Sequence, residues 1–200
     1  MNEHVPVGEP FGRFDLLLAS AKGLGTALLP EPTAFTLATV GADGQPSARI
    51  ILLKGVDARG FVFYTNLESR KGRELLARPQ VAMVFHWQPL ERQIRVEGTA
   101  RQVSAEEADA YFASRARDSQ IGAWASLQSQ PIAAAGDLEA RVKEMTLRFA
   151  DKPVPRPPHW SGFRVVPNRI EFWDSMPSRL HRRELYHREA DGWRVEILYP

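Results

Sequence analysis

Residues 49–72 read RIILLKGVDARGFVFYTNLESRKG, and this stretch decides the fold. Two apolar runs, 49–54 and 61–65, flank Asp57-Ala58-Arg59-Gly60, a turn signature. Both runs end in cationic or hydroxyl residues. Ser69-Arg70-Lys71-Gly72 then opens a helix that Pro79 stops. Helix N-termini carry unpaired N–H groups with partial positive charge, so hydroxyls and cations gathered there suit a phosphorylated small molecule. The same pattern also fits a hairpin and a capped helix with ordinary surface charges. Arg49 and Lys54 are five positions apart, so a regular strand points them to opposite faces. Two phosphate groups would accommodate this, as would a bulge, or Lys54 simply ends the strand in solvent.

Upstream of this stretch, residues 11–24 predict an amphipathic helix, with Phe14, Leu17 and Leu18 at helical spacing. Residues 34–40 and 47–54 predict strands joined through Asp43-Gly44, a hairpin signal. Downstream, strands are expected at 81–87 and 92–103 around Gln88-Pro89. Ser104 and Glu107 have capping-box spacing and open a helix carrying Tyr111 and Arg115. A further helix is expected at 138–149, then a proline-rich crossing at 153–158. Short strands at 163–166, 169–173, 184–188 and 193–198 close the chain. Three hairpin-like connections in close succession argue for an antiparallel meander or barrel. The expected fold class is α+β: an antiparallel, Greek-key-like β-barrel with packed helices, one domain over residues 1–200, with residues 1–10 a flexible segment.

The composition narrows the chemistry. Two hundred residues, 44% hydrophobic and 25% charged, suit one soluble globular domain. The absence of cysteine excludes disulfides, cysteine-ligated zinc, iron–sulfur clusters and a thiol nucleophile, and fits a cytoplasmic protein. No apolar run approaches a membrane span, and the first residues do not read as a secretory signal. A net charge of +2 suits anionic small ligands better than duplex DNA. The histidines lack metal-ligand spacing, so no metal is expected, and no nucleotide-binding glycine motif or nucleophile elbow occurs.

Two further clusters stand out. Tyr111, Arg115 and Ser119, at i, i+4 and i+8, form one polar stripe if the helix is continuous. They suit a phosphate or an aromatic ligand, or are a solvated face. Arg179, His181 and Arg183 alternate along SRLHRR, so in an extended segment all three point one way. They suit an anionic or electron-rich substrate, or are a basic surface strand.

Taken in order, RIILLK (49–54), FYTNLESRKG (63–72), LERQIRVEG (90–98), YFASRARDSQIGAWASLQS (111–129), HWSGFRV (159–165), IEFW (170–173) and RLHRR (179–183) resemble the pyridoxine/pyridoxamine 5′-phosphate oxidase family. The resemblance runs from about Phe11 to Pro200. It implies an FMN-binding split β-barrel and a homodimer with FMN in clefts between subunits. It implies FMN contacts from Arg49, Ile50, Tyr64, Thr65, Arg70, Lys71, Gln93, Gln128, Ser129, Trp173 and Arg183. The substrate 5′-phosphate would meet Lys54, Tyr111, Arg115 and Ser119. Arg179 and His181 would be the catalytic pair, lying against the pyridine ring and its C4′ carbon. The implied reaction oxidises pyridoxine or pyridoxamine 5′-phosphate to pyridoxal 5′-phosphate, with O₂ as acceptor and hydrogen peroxide as product. Alternatives are a related flavin oxidase of phenazine-type intermediates and a weakly catalytic flavin- or pyridoxal-phosphate-binding protein. The chain departs from the family pattern at Asp174-Ser175-Met176-Pro177, where a Gly-Gly pair is usual, and at Arg182, where an acid is usual. Its N-terminal arm, a lid in many members, is expected to be short.

Overall fold

A computed structural model describes residues 3–200. Its elements are β1 (Glu3–Pro6), α1 (Glu9–Gly23), β2 (Ala34–Val40), β3 (Pro46–Leu52), β4 (Gly55–Asp57), β5 (Gly60–Asn66), α2 (Arg70–Ala77), β6 (Gln80–Trp87) and β7 (Arg92–Gln102). There follow α3 (Ala105–Ser114), α4 (Arg117–Ala125), α5 (Asp137–Arg148), β8 (Trp160–Asp174), β9 (Arg182–Arg188) and β10 (Gly192–Leu198). Single 3₁₀ turns sit at Gln88–Leu90 and Pro177–Arg179.

The strands run antiparallel in the order β1-β10-β9-β8-β7-β6-β2-β3, with β5 joined to β4 and β8. β8 sets the architecture. Its first half pairs with β5, Trp160 to Val165 opposite Asn66 to Phe61. Its second half, Arg169 to Asp174, pairs with β9 instead. β7 follows both halves on the other side, and its register shifts between Glu97 and Gly98, opposite Pro167. Proline has no N–H to give a ladder and is tolerated at such a bulge. A Cβ on Gly98 would lie 2.3 Å from the Val166 carbonyl oxygen, so only glycine permits this approach. Beyond β3, the Lys54 N–H donates to the Val62 carbonyl at 2.8 Å, which brings the sheet round on itself. The outcome is a split barrel, as expected; the two short strands expected at 163–166 and 169–173 are one strand bent through this bulge.

Period-two alternation sends Phe35, Leu37, Met83 and Phe85 into the barrel, all essentially buried. α1 covers it with Phe11, Phe14 and Leu18. Phe14 meets the rings of Phe61 and Phe85 edge-on, each at 5.0 Å. Burial of each such side chain is worth about 1.5–3 kcal/mol. A second cluster, including Phe112, Ile121, Phe149 and Trp160, packs α3, α4 and α5 against the start of β8.

Within residues 1–10, expected as a flexible segment, the described residues from Glu3 on enter β1 and α1. β1 pairs with β10 through Pro6 opposite Gly192, and α1 begins at Glu9; residues 1 and 2 lie outside the described residues. The helix through Tyr111, Arg115 and Ser119 is not continuous. Arg115 and Ala116 are extended, with ψ of 148° and 141°, and separate α3 from α4. Arg117 accounts for the break: its guanidinium donates to the carbonyls of Phe149, Ala150 and Lys152 at the end of α5, which anchors the first turn of α4 there. The capping box is half formed. Ser104 Oγ accepts from the Glu107 N–H at 3.2 Å, but the Glu107 carboxylate pairs with Arg164 at 2.9 Å.

Candidate active site

A cavity of about 410 Å³ opens between the end of β3, β5, α2 and α3–α4. Lys54, Tyr64, Thr65, Lys71, Tyr111, Arg115, Ser119 and Gln128 line it, all foreseen from sequence. The break after α3 leaves Tyr111, Arg115 and Ser119 on one wall, although the stripe that suggested them does not exist. Tyr64 stacks on Tyr111 at 3.9 Å and on Trp160 at 5.3 Å, within 7° of parallel. The Arg115 guanidinium lies 4.9 Å from the Trp160 ring centroid. Its Nη1 is buried and, among the described residues, has no hydrogen-bond partner. Burial lowers the Arg115 pKa, partly offset by the neighbouring Tyr111. Lys71 is likewise lowered by burial and by the nearby Arg49, while its Nζ donates to Gln128 Oε1 at 2.8 Å. An unpaired, desolvated guanidinium beside a desolvated ammonium is a receptor for an anion.

Arg49 and Arg70 do not line this cavity. Both converge on Glu74 of α2, which is 7% exposed. Arg49 Nη2 lies 3.1 Å from Glu74 Oε2, and Arg70 Nε lies 2.9 Å from Oε1. Thr39 and Ser47 also donate to Oε2, at 2.5 and 2.8 Å. Burial pushes the carboxyl pKa up, but the four hydrogen bonds outweigh it and hold the group at about 2. Ser69 does not offer its hydroxyl to a ligand. It is fully buried, donates to the Asn66 carbonyl at 2.7 Å and accepts from the Gly72 N–H at 3.2 Å as the α2 N-cap. Ile50 stands 71% exposed on β3, and Ser129, at φ 70°, borders a neighbouring cavity that shares Gln128.

The other expected residues form a second constellation away from that cavity. Gln93, Trp173 and Arg183 stand in register across β7, β8 and β9. The His181 ring lies over Trp173 at 4.5 Å. Arg183 Nε donates to Glu171 at 2.8 Å. The segment before β9 is not extended: Ser178 and Arg179 turn left-handed, with φ of 57° and 61°. Arg179, His181 and Arg183 therefore do not share one face by simple alternation. Arg182 departs from Arg183 to the opposite face and pairs with Glu184, beside Arg13 of α1.

Comparison with known proteins gives this geometry its setting. Residues 26–149 match the family model described as pyridoxamine 5′-phosphate oxidase. The chain belongs to the pyridoxamine 5′-phosphate oxidase family. Residues 160–200 match the C-terminal dimerisation region of pyridoxine 5′-phosphate oxidase, and so include Trp173, Arg179, His181 and Arg183. A protein of Myxococcus xanthus (strain DK1622) named pyridoxine/pyridoxamine 5′-phosphate oxidase is 61% identical over 96% of this chain and 92% of its own length. One of the same name from Bordetella petrii is 56% identical over 99% of this chain and 92% of its own. Among solved structures, PhzG from Burkholderia lata 383, in complex with tetrahydrophenazine-1-carboxylic acid, superposes with a TM-score of 0.88 at 33% identity, over 96% of this chain and 92% of that one. A pyridoxamine 5′-phosphate oxidase-related, FMN-binding protein of Nostoc punctiforme shares the fold, with a TM-score of 0.73 at 18% identity over 92% and 96%.

Trp160, Asn66 and Ser126 also line the cavity and were not singled out by the sequence. Trp160 is also part of the second apolar cluster, 6% exposed. Glu74 had one available signal, its i+4 spacing from Arg70.

Proposed function

We propose that this chain is an FMN-dependent oxidase that converts pyridoxine 5′-phosphate and pyridoxamine 5′-phosphate to pyridoxal 5′-phosphate, with O₂ as acceptor and hydrogen peroxide as product, the amine also taking up water and releasing ammonia. The observation that carries this reading is the buried, unpartnered Nη1 of Arg115 in a cavity shared with Lys54, Tyr111 and Ser119. Two cations, a phenol and a hydroxyl suit a phosphate ester dianion. Lys71, Gln128 and Thr65 of the same cavity, with Arg49 and Arg70 released from Glu74, would hold FMN. FMN, when bound, supplies the two-electron acceptor for a hydride from C4′ and passes the electrons to O₂.

The protein's part is binding and orientation. Arg115 and Lys54 would fix the phosphate, and the stacked Tyr64 and Tyr111 would wall the cavity. Arg179 and His181 would bear on the pyridine ring from the partner subunit of a homodimer, together with Gln93, Trp173 and Arg183. Exposed Ile50, Met176, Leu180, Ile197 and Tyr199 supply apolar surface for that association. A cytoplasmic enzyme is consistent with the cysteine-free sequence.

The likeness to PhzG favours a second reading, oxidation of a tetrahydrophenazine-type carboxylic acid. A carboxylate could meet Arg115, but it would leave part of the four-group receptor unused. The test is anaerobic reduction of the FMN-loaded protein by each compound in turn. Bleaching by the two phosphate esters, with peroxide formed on admitting air, supports the proposal. Bleaching by the phenazine acid alone transfers it to the second reading. A bound flavin that none of them reduces points to a binding protein.

A further inference from the structure

The hydrogen bonds of the loop from Asp174 to His181 constrain the chemistry of His181. Nδ1 of His181 lies 3.2 Å from the backbone nitrogen of Met176. A backbone amide can only donate, so Nδ1 accepts and carries no proton. The neutral ring must then carry its proton on Nε2. Trp173 lies against the ring at 4.5 Å and 39°.

The segment that delivers this amide is itself anchored. Asp174 Oδ1 lies 3.1 Å from Arg92 Nε, an ion pair largely shielded on the carboxylate side. The Ser175 N–H donates to the Glu91 carbonyl at 3.0 Å, and the Leu180 N–H to that of Pro177 at 3.1 Å. Left-handed Ser178 and Arg179 reverse the chain between them, which brings His181 back onto Met176. Non-glycine residues adopt that conformation at some energetic expense and persist in it when their surroundings impose it. Here the anchors on both sides impose it.

We propose that this loop fixes His181 as a hydrogen-bond donor through Nε2–H, directed at an oxygen or nitrogen acceptor of the substrate, and that Asp174 and Arg92 are the pair that positions it. The inference rests on the oxidase reading for the identity of the acceptor, but not for the tautomer. With Nδ1 engaged by the amide and Nε2 protonated, neither nitrogen has a free lone pair. His181 therefore orients the substrate and is not the base that receives the proton of the reaction.

The experiment is a long-range proton–nitrogen NMR spectrum of the histidines in the ¹⁵N-labelled, FMN-loaded protein, with His181 assigned by its loss in His181→Gln. A single neutral tautomer protonated at Nε2 is expected. Protonation at Nδ1, or an equal mixture, overturns the proposal. Asp174→Asn and Arg92→Gln should each turn the His181 signal toward a mixture, and an unchanged signal in both removes the positioning pair. Flavin reduction by the phosphate esters gives the second readout. His181→Gln, whose amide can donate from the Nε2 position, should stay within about tenfold of wild type, whereas His181→Ala should lose about 100-fold with FMN affinity unchanged. Wild-type rates in His181→Ala refute the donor role. If no phosphate ester reduces the wild-type flavin, the oxidase reading fails, and the tautomer result still stands or falls on the spectrum.

Discussion

Replacing Glu74 with Gln tests the reading of the polar hub between β2, β3 and α2. The carboxyl is held at about 2 against an ordinary 4.5. At 1.36 kcal/mol per tenfold change in protonation equilibrium, the ionised form contributes about 3 kcal/mol to the fold at neutral pH. The sign follows from a folded-state pKa below the unfolded one. The contribution is fully present above 4.5 and is lost as pH falls toward 2. The glutamine can still accept from Thr39 or Ser47, but it leaves the Arg49 guanidinium, 20% exposed, without its counter-charge. Urea unfolding of the flavin-free proteins measures the outcome. Glu74→Gln should be about 3 kcal/mol less stable at pH 7, and the gap should narrow by about 2 kcal/mol at pH 3, where the unfolded wild type takes up a proton at Glu74 while the folded state stays largely ionised. Equal stabilities at pH 7, or a gap that does not change with pH, would refute the reasoning. The flavin-free form is the right sample, because a bound phosphate would supply Arg49 and Arg70 with another counter-charge.

Arg115→Met should raise KM for the phosphate esters about 10- to 100-fold while changing stability by less than about 1 kcal/mol, since it removes a buried donor that has no partner; steady-state kinetics with thermal melts will show whether the two separate. Gly72→Ala places a Cβ 2.4 Å from both the Asn66 and Leu67 carbonyl oxygens. It should destabilise the chain by about 1–3 kcal/mol and weaken FMN binding by shifting Arg70 and Lys71, as flavin fluorescence quenching will report. Arg182→Ala should change stability by less than about 1 kcal/mol and leave turnover alone, because its exposed side chain pairs with Glu184 on the face opposite Arg183. Co-expressed Arg115→Met and Arg179→Ala chains, each impaired alone at substrate concentrations well below KM, should regain about one quarter of wild-type activity under those conditions if the site is shared between subunits, since one site of each mixed dimer is intact; no recovery in isolated mixed dimers would place both residues in one chain's site.

Much of the fold was legible because β2, β6 and β7 alternate cleanly, β5 is a short apolar run, and the turns carry ordinary turn residues. The misreadings have local physical causes. Nothing between Ser114 and Asp118 is a helix breaker, so the end of α3 was invisible. It is fixed by Arg117 reaching the carbonyls at the end of α5, a tertiary contact. Pro167 suggested a strand boundary, but β8 bulges at Asn168, opposite Glu97 and Gly98, and runs on as one strand. Alternation along SRLHRR assumed an extended chain, and two left-handed residues break it. In the site, Lys54, Tyr111, Arg115 and Ser119 do line one cavity, although the stripe that grouped three of them is not in the fold. Arg49 was placed on the right strand, but its link to Glu74 joins three elements and has no signature in any one of them.

In the sequence the cations at strand ends and helix starts look alike; in the fold their partners sort them. Arg49 and Arg70 share Glu74, Arg95 and Arg183 share Glu171, and Arg164 joins Asp57 and Glu107. Among the described residues, no carboxylate forms an ion pair with Lys54, Lys71 or Arg115, and all three line the same cavity. Burial lowers the pKa of Lys71 and Arg115, so the protein bears a desolvation penalty there that Glu74 and Tyr111 offset only in part. An anion that binds the folded state alone would offset it, and would stabilise the protein by about 2.7 kcal/mol at a hundred times its dissociation constant. Three cations without an ion pair in about 410 Å³ exceed what one phosphate dianion neutralises. The charge count thus leaves room for a second anionic group beside the first, a ground independent of the strand alternation that separates Arg49 from Lys54.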